Sequence, residues 1–290
     1  MTPATPPPQP PVARTSVGSI AVTSLLDGIS TLTDAHFPAA VANPHRLSAL
    51  RRAAGFLEGP MPLPFNAFTF EISGTRYLVD AGNSRRFNPL TGRLDEALAA
   101  AGISPAAIDV ILVTHGHVDH VAGLLTPGGE RAFPNAEVVI PRTELEFWSD
   151  ETRIAGARED IGRIIANVAP ALKAYADRMR PFDGTPDIAP GLASVAIDGH
   201  TPAHTGYMLG SGTDRLFFWG DIVHLAALQL PEPDWSIVYD VDPVKAVATR
   251  RRVLEMVVSQ DLRVAGAHLP GGGIGYITCD GDSYRFTPSL

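Results

Sequence analysis

The segment Thr114-His115-Gly116-His117-Val118-Asp119-His120 follows directly on Val110 to Val113, an apolar run with the length and branching of a buried strand. Three imidazoles and a carboxylate within six positions do not suit a hydrophobic core. Each polar group buried without a partner costs roughly 2–7 kcal/mol. Imidazole nitrogen and carboxylate oxygen are ligands that Zn, Mn, Fe and Co accept. Whatever this chain folds into must therefore hold a strand end where several such groups meet.

The same arrangement recurs downstream. Ser194 to Ile197 reads as a strand and leads to His200; Leu216 to Trp219 leads to Asp221; Arg263 to Ala265 leads to His268. Strand ends on one edge of a sheet converge, and the loops there carry function on a rigid frame. Seven donors (His115, His117, Asp119, His120, His200, Asp221 and His268) exceed the four of one tetrahedral zinc. They suit two divalent ions sharing a carboxylate. Asp80, at the end of another strand, is either a turn former beside Gly82 or an acid that orients a ligand histidine.

Composition narrows the function class. The net charge of −8 argues against a nucleic-acid partner, which needs clustered Lys and Arg. Cys279 is the single cysteine, so an internal disulfide and thiolate-rich metal sites are excluded. No apolar run is long enough to span a membrane. With 45 % hydrophobic residues, 290 residues can bury one large core, or at most two smaller ones. Residues 1–12 are rich in Pro, Thr and Ala and read as a disordered arm. We draw the boundary at 16, with 17–290 as one catalytic domain. The expected setting is cytoplasmic, with an exported precursor left open, a small-molecule substrate and a homodimer allowed.

Along the chain, Val17 to Leu26 suggests a first strand turning at Asp27-Gly28. Asn43 caps a helix that reaches Gly55, with Pro44 in its first position. The prolines of Gly59 to Pro64 predict a rigid loop. Asn66 to Ile72 and Arg76 to Val79 form a hairpin through Ser73-Gly74, and Leu94 to Ala101 is a helix stopped by Gly102. A helix starts near Val118. Glu137 to Ile140 is a strand, followed by a helix from Pro141. Glu151 to Asp177 is expected as two helices, or one broken at Pro170. Arg250 to Arg252, on a helix from Val244 to Ser259, reads as a solvated face.

His-Gly-His-Val-Asp-His, preceded by Asp80-x-Gly82 and followed by Gly199-His200-Thr201, Gly220-Asp221 and His268, resembles the metallo-β-lactamase superfamily. The likeness runs from about Val17 to the C-terminus. It implies an α/β fold, the four-layer αβ/βα sandwich of two mixed sheets with helices outside. It implies that His115, His117 and His200 hold one metal, that Asp119, His120 and His268 hold the other, and that Asp221 bridges them. Asp80 would orient a ligand, and His204 would be structural. Two ions, Zn2+ first and Mn, Fe or Co as alternatives, would activate a shared water to hydroxide, with Asp119 accepting its proton.

Gly220-Asp221-Ile222-Val223-His224, Asp240-Val241-Asp242 and His268 to Tyr276 are similar to the branch containing methyl parathion hydrolase and lactonase-like enzymes. His224 stands where acyl-homoserine lactonases carry a tyrosine that assists the substrate carbonyl; an imidazole can still donate a hydrogen bond. Phe65, Phe68, Trp148, Leu225 and Leu228 are candidates for an apolar wall, with Phe65, Trp148, His224 and Leu225 assigned to substrate. The implied function is hydrolysis of a neutral ester-type substrate: a lactone, an aryl ester or an organophosphate triester. The alternatives are a β-lactam or thiolester hydrolase of the same fold and a metal-stabilised binding protein without turnover.

Overall fold

The computed structural model describes residues 9–156 and 159–290. A first sheet holds β1 (Val12–Val17), β2 (Ile20–Leu32), β3 (Met61–Ile72), β4 (Thr75–Val79), β5 (Val110–Leu112), β6 (Glu137–Pro141) and β7 (Met179–Phe182), in sequence order. The second holds β8 (Asp187–Ala189), β9 (Leu192–Ala196), β10 (Thr205–Ser211), β11 (Asp214–Phe218), β12 (Arg263–Ala265), β13 (Ile274–Asp280) and β14 (Ser283–Pro288), again in order. Both are mixed. β4 to β7 run parallel, as do β11 and β12, and the other pairs are antiparallel.

The helices are α1 (Pro38–Val41), α2 (Pro44–Ala53), α3 (Leu94–Ala101), α4 (Val118–Val121), α5 (Arg142–Ser149), α6 (Glu159–Ala174), α7 (Ala226–Gln229) and α8 (Pro243–Ser259). Alternate residues of the central strands serve different cores, which explains why their sequences are apolar throughout. Tyr77, Val79, Val110, Leu112 and Val139 meet Tyr207, Leu216 and Phe218 between the sheets. Leu78, Ile111, Val138 and Ile140 face outward among residues of α3, α5 and α6. Phe217 and Val264 face outward toward Val253, Leu254 and Val257 of α8. This is the expected four-layer αβ/βα sandwich.

Several expectations need correction. Residues 1–8 of the proposed arm lie outside the described residues, but 12–16 belong to β1, which pairs with β2 along its whole length. Asp27-Gly28 is not a turn: it is a bulge inside β2, where the register shifts between Leu26 and Gly28. The Asp27 carboxylate turns inward and accepts backbone N–H bonds from Asn83, Gly92 and Leu94.

Gly59 to Pro64 is not wholly a loop, since β3 begins at Met61. Pro62 and Pro64, two residues apart, present the same edge of the strand, where β4 does not reach. That edge leaves the Pro64 carbonyl free, and it meets Nδ1 of His268 at 2.9 Å. α6 runs through Pro170, which lies on the exposed face. There the carbonyl that loses its donor can bond water. Arg250 is buried, not solvated. It donates to the carbonyls of Ile222 and Pro233 and thereby supports the loop after Asp221.

Candidate metal centre

β4, β5, β11 and β12 each end at one edge of the sandwich, and β9 leads there through Ile197 to Gly199. Backbone bonds lock these ends together: Thr205 N–H donates to the Thr114 carbonyl at 2.9 Å across the two sheets, and Ala81 N–H to the His120 carbonyl at 2.8 Å within the first. Asn66 of β3 donates its amide to the carbonyls of Ala267 and Leu269, fixing the His268 turn. Gly220 has φ +52, and a β-carbon there would lie 2.3 Å from Nε2 of His204, so a side chain is excluded by both conformation and space.

All seven predicted donors meet. His115, His117, His200 and Asp221 form one group, and Asp119, His120, Asp221 and His268 a second. Within each group the ligand atoms lie within 4.8 Å of one another. Asp221 is the member common to both. Its Oδ2 is 3.7 Å from Nε2 of His115, 3.5 Å from that of His200 and 3.1 Å from that of His268; its Oδ1 is 3.3 Å from Nε2 of His120.

The donor set fits a pair of divalent cations. Nε2 of His117, His120 and His200 and Oδ1 of Asp221 are buried with no hydrogen-bond partner among the described residues. Such atoms would be costly unless a cation takes them up.

The opposite nitrogens are held from behind. Asp80 Oδ2 lies 2.7 Å from Nδ1 of His120 and also accepts from the Thr114 hydroxyl; Asp240 Oδ1 lies 2.8 Å from Nδ1 of His200. Partners of this kind fix ring orientation and tautomer. Asp80 adopts φ +59, an uncommon conformation for a residue with a side chain.

His204 is wholly buried, and its Nε2 accepts from the Asp221 backbone N–H at 3.2 Å; it belongs to neither donor group. Asp240 and Glu144 were not assigned from sequence. A Glu on an amphipathic helix carries no local mark of burial. Asp240 lies in an Asp-x-Asp pair, which was visible but without evident geometry.

Electrostatics set the protonation of this cluster. Burial holds His115 and His117 well below the ordinary imidazole value. Burial also opposes protonation of His200 and His268, but Asp221, helped by Asp240 and Asp119 respectively, overcomes it and raises them to about 9 and about 10. Burial disfavours the ionised forms of Asp119 and Asp221, yet the surrounding imidazoles hold both below the usual carboxylate range. Carboxylates that stay ionised in a dry site attract cations strongly.

A cleft of about 720 Å3, including its open mouth, exposes His117, Asp119, Asp221, His224 and His268 on its floor. Phe65 lines it and meets His268 edge-on at 4.9 Å. His224 lines it too, stacked on His268 at 5.1 Å with Nε2 3.2 Å from Asp221 Oδ2. Leu63, Ile164 and Tyr239 complete walls that sequence reading missed.

The other wall candidates are misplaced. Trp148 is wholly buried beneath His117, at 5.2 Å between ring centroids, and packs into the helix-covered core. Leu225 and Leu228 pack behind the cleft with Phe37 and Trp235, and Phe68 lies between the sheets. Whether an aromatic or aliphatic residue near a site faces its cavity is decided by packing, which spacing alone does not reveal.

Comparison with known proteins agrees with this architecture. The crystal structure of hydrolase AbOPH of the β-lactamase superfamily superposes with a TM-score of 0.88 at 28 % identity, covering 96 % of this chain and 97 % of that one. AidC, a dizinc quorum-quenching lactonase in complex with a product, matches in fold at a TM-score of 0.88 and 23 % identity, with the same coverage. Ribonuclease Z of Agathobacter rectalis is 34 % identical over 88 residues, which are 29 % of this chain and only 25 % of that protein's length. The family model described as the metallo-beta-lactamase superfamily matches residues 61–284, a span that holds all seven donors, and the chain belongs to that superfamily.

Proposed function

We propose that this chain hydrolyses neutral, apolar-substituted esters in the broad sense, with lactones or aryl esters preferred and phosphotriesters as a side activity. His115, His117 and His200 would hold one divalent ion and Asp119, His120 and His268 a second, with Asp221 between them; Zn2+ suits these donors, and Mn, Fe or Co are accepted by the same set. The observation that carries the reading is the cleft wall. Among the described residues its lining includes no Lys or Arg, while Leu32, Leu63, Phe65, Phe87 and Ile164 give it an apolar side. An anionic substrate would find no counter-charge in that wall, whereas apolar groups gain about 25 cal/mol per Å2 buried. The likeness to the hydrolase AbOPH supports hydrolysis, and that to the lactonase AidC supports an ester-type substrate.

When bound, two such cations polarise a substrate oxygen and bring a water's pKa toward neutrality. The chain's own groups do the rest. Asp119, whose side chain keeps 18 % exposure on the cleft floor, accepts the proton of the attacking water. His224 is kept neutral by burial, its pKa lowered to about 4, and its ring lines the cleft beside Asp221, where it would contact the substrate. Phe65, Leu63 and Ile164 seat the apolar group and exclude water around it.

The test compares kcat/KM on a γ-lactone, an aryl ester, a dialkyl aryl phosphate, a cephalosporin and an RNA-type phosphodiester, using zinc-loaded protein. The first two should lead. A clear preference for the cephalosporin or for the anionic diester overturns the reading.

A further inference from the structure

Glu144, on α5, is a wholly buried carboxylate that, like Asp80 and Asp240, belongs to neither donor group; unlike them it touches no ligand imidazole and instead packs against the loops that carry His115, His117 and His200. Its Oε2 accepts the Gly116 backbone N–H at 2.9 Å and the Trp148 indole N–H at 2.6 Å; its Oε1 accepts the Ala203 backbone N–H at 2.7 Å. Gly116 stands between His115 and His117, and Ala203 lies three residues after His200. One carboxylate thus spans the tips of the two loops that supply the His115–His117–His200 imidazoles. Their bases are joined separately, by the Thr205 to Thr114 backbone bond. Burial raises the Glu144 pKa, opposed by the donors from Ala203 and Gly116 among others, so the group sits there at an energetic cost that packing alone would avoid.

We propose that Glu144 is a positioning residue: it holds the 114–120 and 200–205 loops at the separation the His115–His117–His200 group needs to take one cation, and leaves the Asp119–His120–His268 side unaffected. The proposal rests on the reading that these groups bind cations. A glutamine cannot replace it, because its single amide oxygen serves one loop and its NH2 then faces an N–H of the other.

The experiment is Zn2+ titration of chelator-stripped wild type, Glu144→Gln and Glu144→Asp against a competing chelator. Each is also measured in a His268→Ala background, which isolates the first group. Glu144→Gln should weaken zinc at the His115–His117–His200 group by about 10- to 100-fold, the usual effect of removing a partner behind the ligands, and change the other group by less than about threefold. Trp148→Phe removes one donor but leaves both loops tied to Glu144, and should weaken that first group by less than about threefold.

Equal weakening of both groups, no weakening of either, or a Trp148→Phe effect as large as that of Glu144→Gln overturns the proposal. If Glu144→Gln does not unfold cooperatively when metal-free, Glu144→Asp, which keeps the charge but withdraws it by one methylene, carries the same comparison. Wild type that takes up no zinc overturns the proposed function together with this inference. Wild type that takes two zinc ions beside unaffected variants removes this inference alone.

Discussion

Gly116→Ala tests how little slack the metal loop has. A β-carbon at this position would lie 2.0 Å from Cδ1 of Trp148, 2.4 Å from Cγ and 2.6 Å from Nε1. Ordinary carbon contacts need about 3.5–4.0 Å, so loop and indole must part by about 1.5 Å. Neither side yields easily. The indole is wholly buried, and both it and the Gly116 N–H are held by Glu144. Overpacking of this kind costs about 1–3 kcal/mol, and stretching a buried hydrogen bond to a charged group about 1–3 kcal/mol more. With an unfolding entropy near 0.6 kcal/mol per kelvin for 290 residues, the metal-free protein should melt about 3–10 °C lower. A shift of about 1 Å in His115 and His117 should lower kcat/KM on an aryl ester about 100-fold. Scanning calorimetry, zinc content and steady-state rates measure these effects. Gly162→Ala is the internal control: it lies in α6, its nearest contact would be an ordinary 3.5 Å, and it should gain about 0.5–1 kcal/mol. A Gly116→Ala protein with full zinc content and a melting temperature within a degree of wild type would refute the packing argument.

Asp119→Asn should lower kcat about 10²- to 10⁴-fold, the range for a lost acid–base group, while the metal-free protein still folds cooperatively. Retained turnover would remove Asp119 from its assigned role. Asp27, which is not a donor but borders a small cavity with Asp119, His120 and His268, gives a pH signature of its own. Burial raises its pKa from 3.8 to about 6 against three backbone donors, so its favourable contribution is complete below pH 3.8 and disappears as pH rises through 6. Across that window the metal-free wild type should lose about 3 kcal/mol relative to Asp27→Asn in denaturant titrations, and a pH-independent difference would show that the three N–H groups keep the carboxylate ionised throughout.

The donors were legible because they break a rule: polar clusters at the ends of apolar strands are costly unless a ligand gathers them. The apolar runs marked the central strands, whose two faces serve different cores, while the two-sheet sandwich came from the resemblance to the superfamily. What was not legible depended on which way a side chain points. Asp27-Gly28 carries the signal of a turn, yet the structure uses it as a bulge that sends the carboxylate inward. Pro62 and Pro64 suggest a loop, but both fall on an edge where no donor is required. Arg250 sits in a basic triplet and reads as solvated, while its guanidinium caps buried carbonyls beneath the Asp221 loop. Trp148 and Glu144 occupy helix positions that allow either core or surface, and only the packing of α5 under the His117 loop decides between them.

The two parts of the site rest on different supports, and this bears on how its specificity can change. The histidine donors and Asp221 are at most 5 % exposed and stand on strand ends cross-linked between the sheets; Asp119, its side chain 18 % exposed, is the most open of the seven. The walls come from elsewhere: the distal half of β2, the start of β3, residues 83–88, Ile164 of α6 and Tyr239 before Asp240. Substitutions at Leu32, Phe87 or Ile164 alter the wall without touching a donor or its supporting carboxylate. Tyr239 is different, because its neighbour Asp240 orients His200, so a backbone shift there reaches the metal ligands. The fold therefore fixes the donor cluster firmly and the walls around it loosely. A related protein of similar fold can act on another substrate while the donor cluster stays in place.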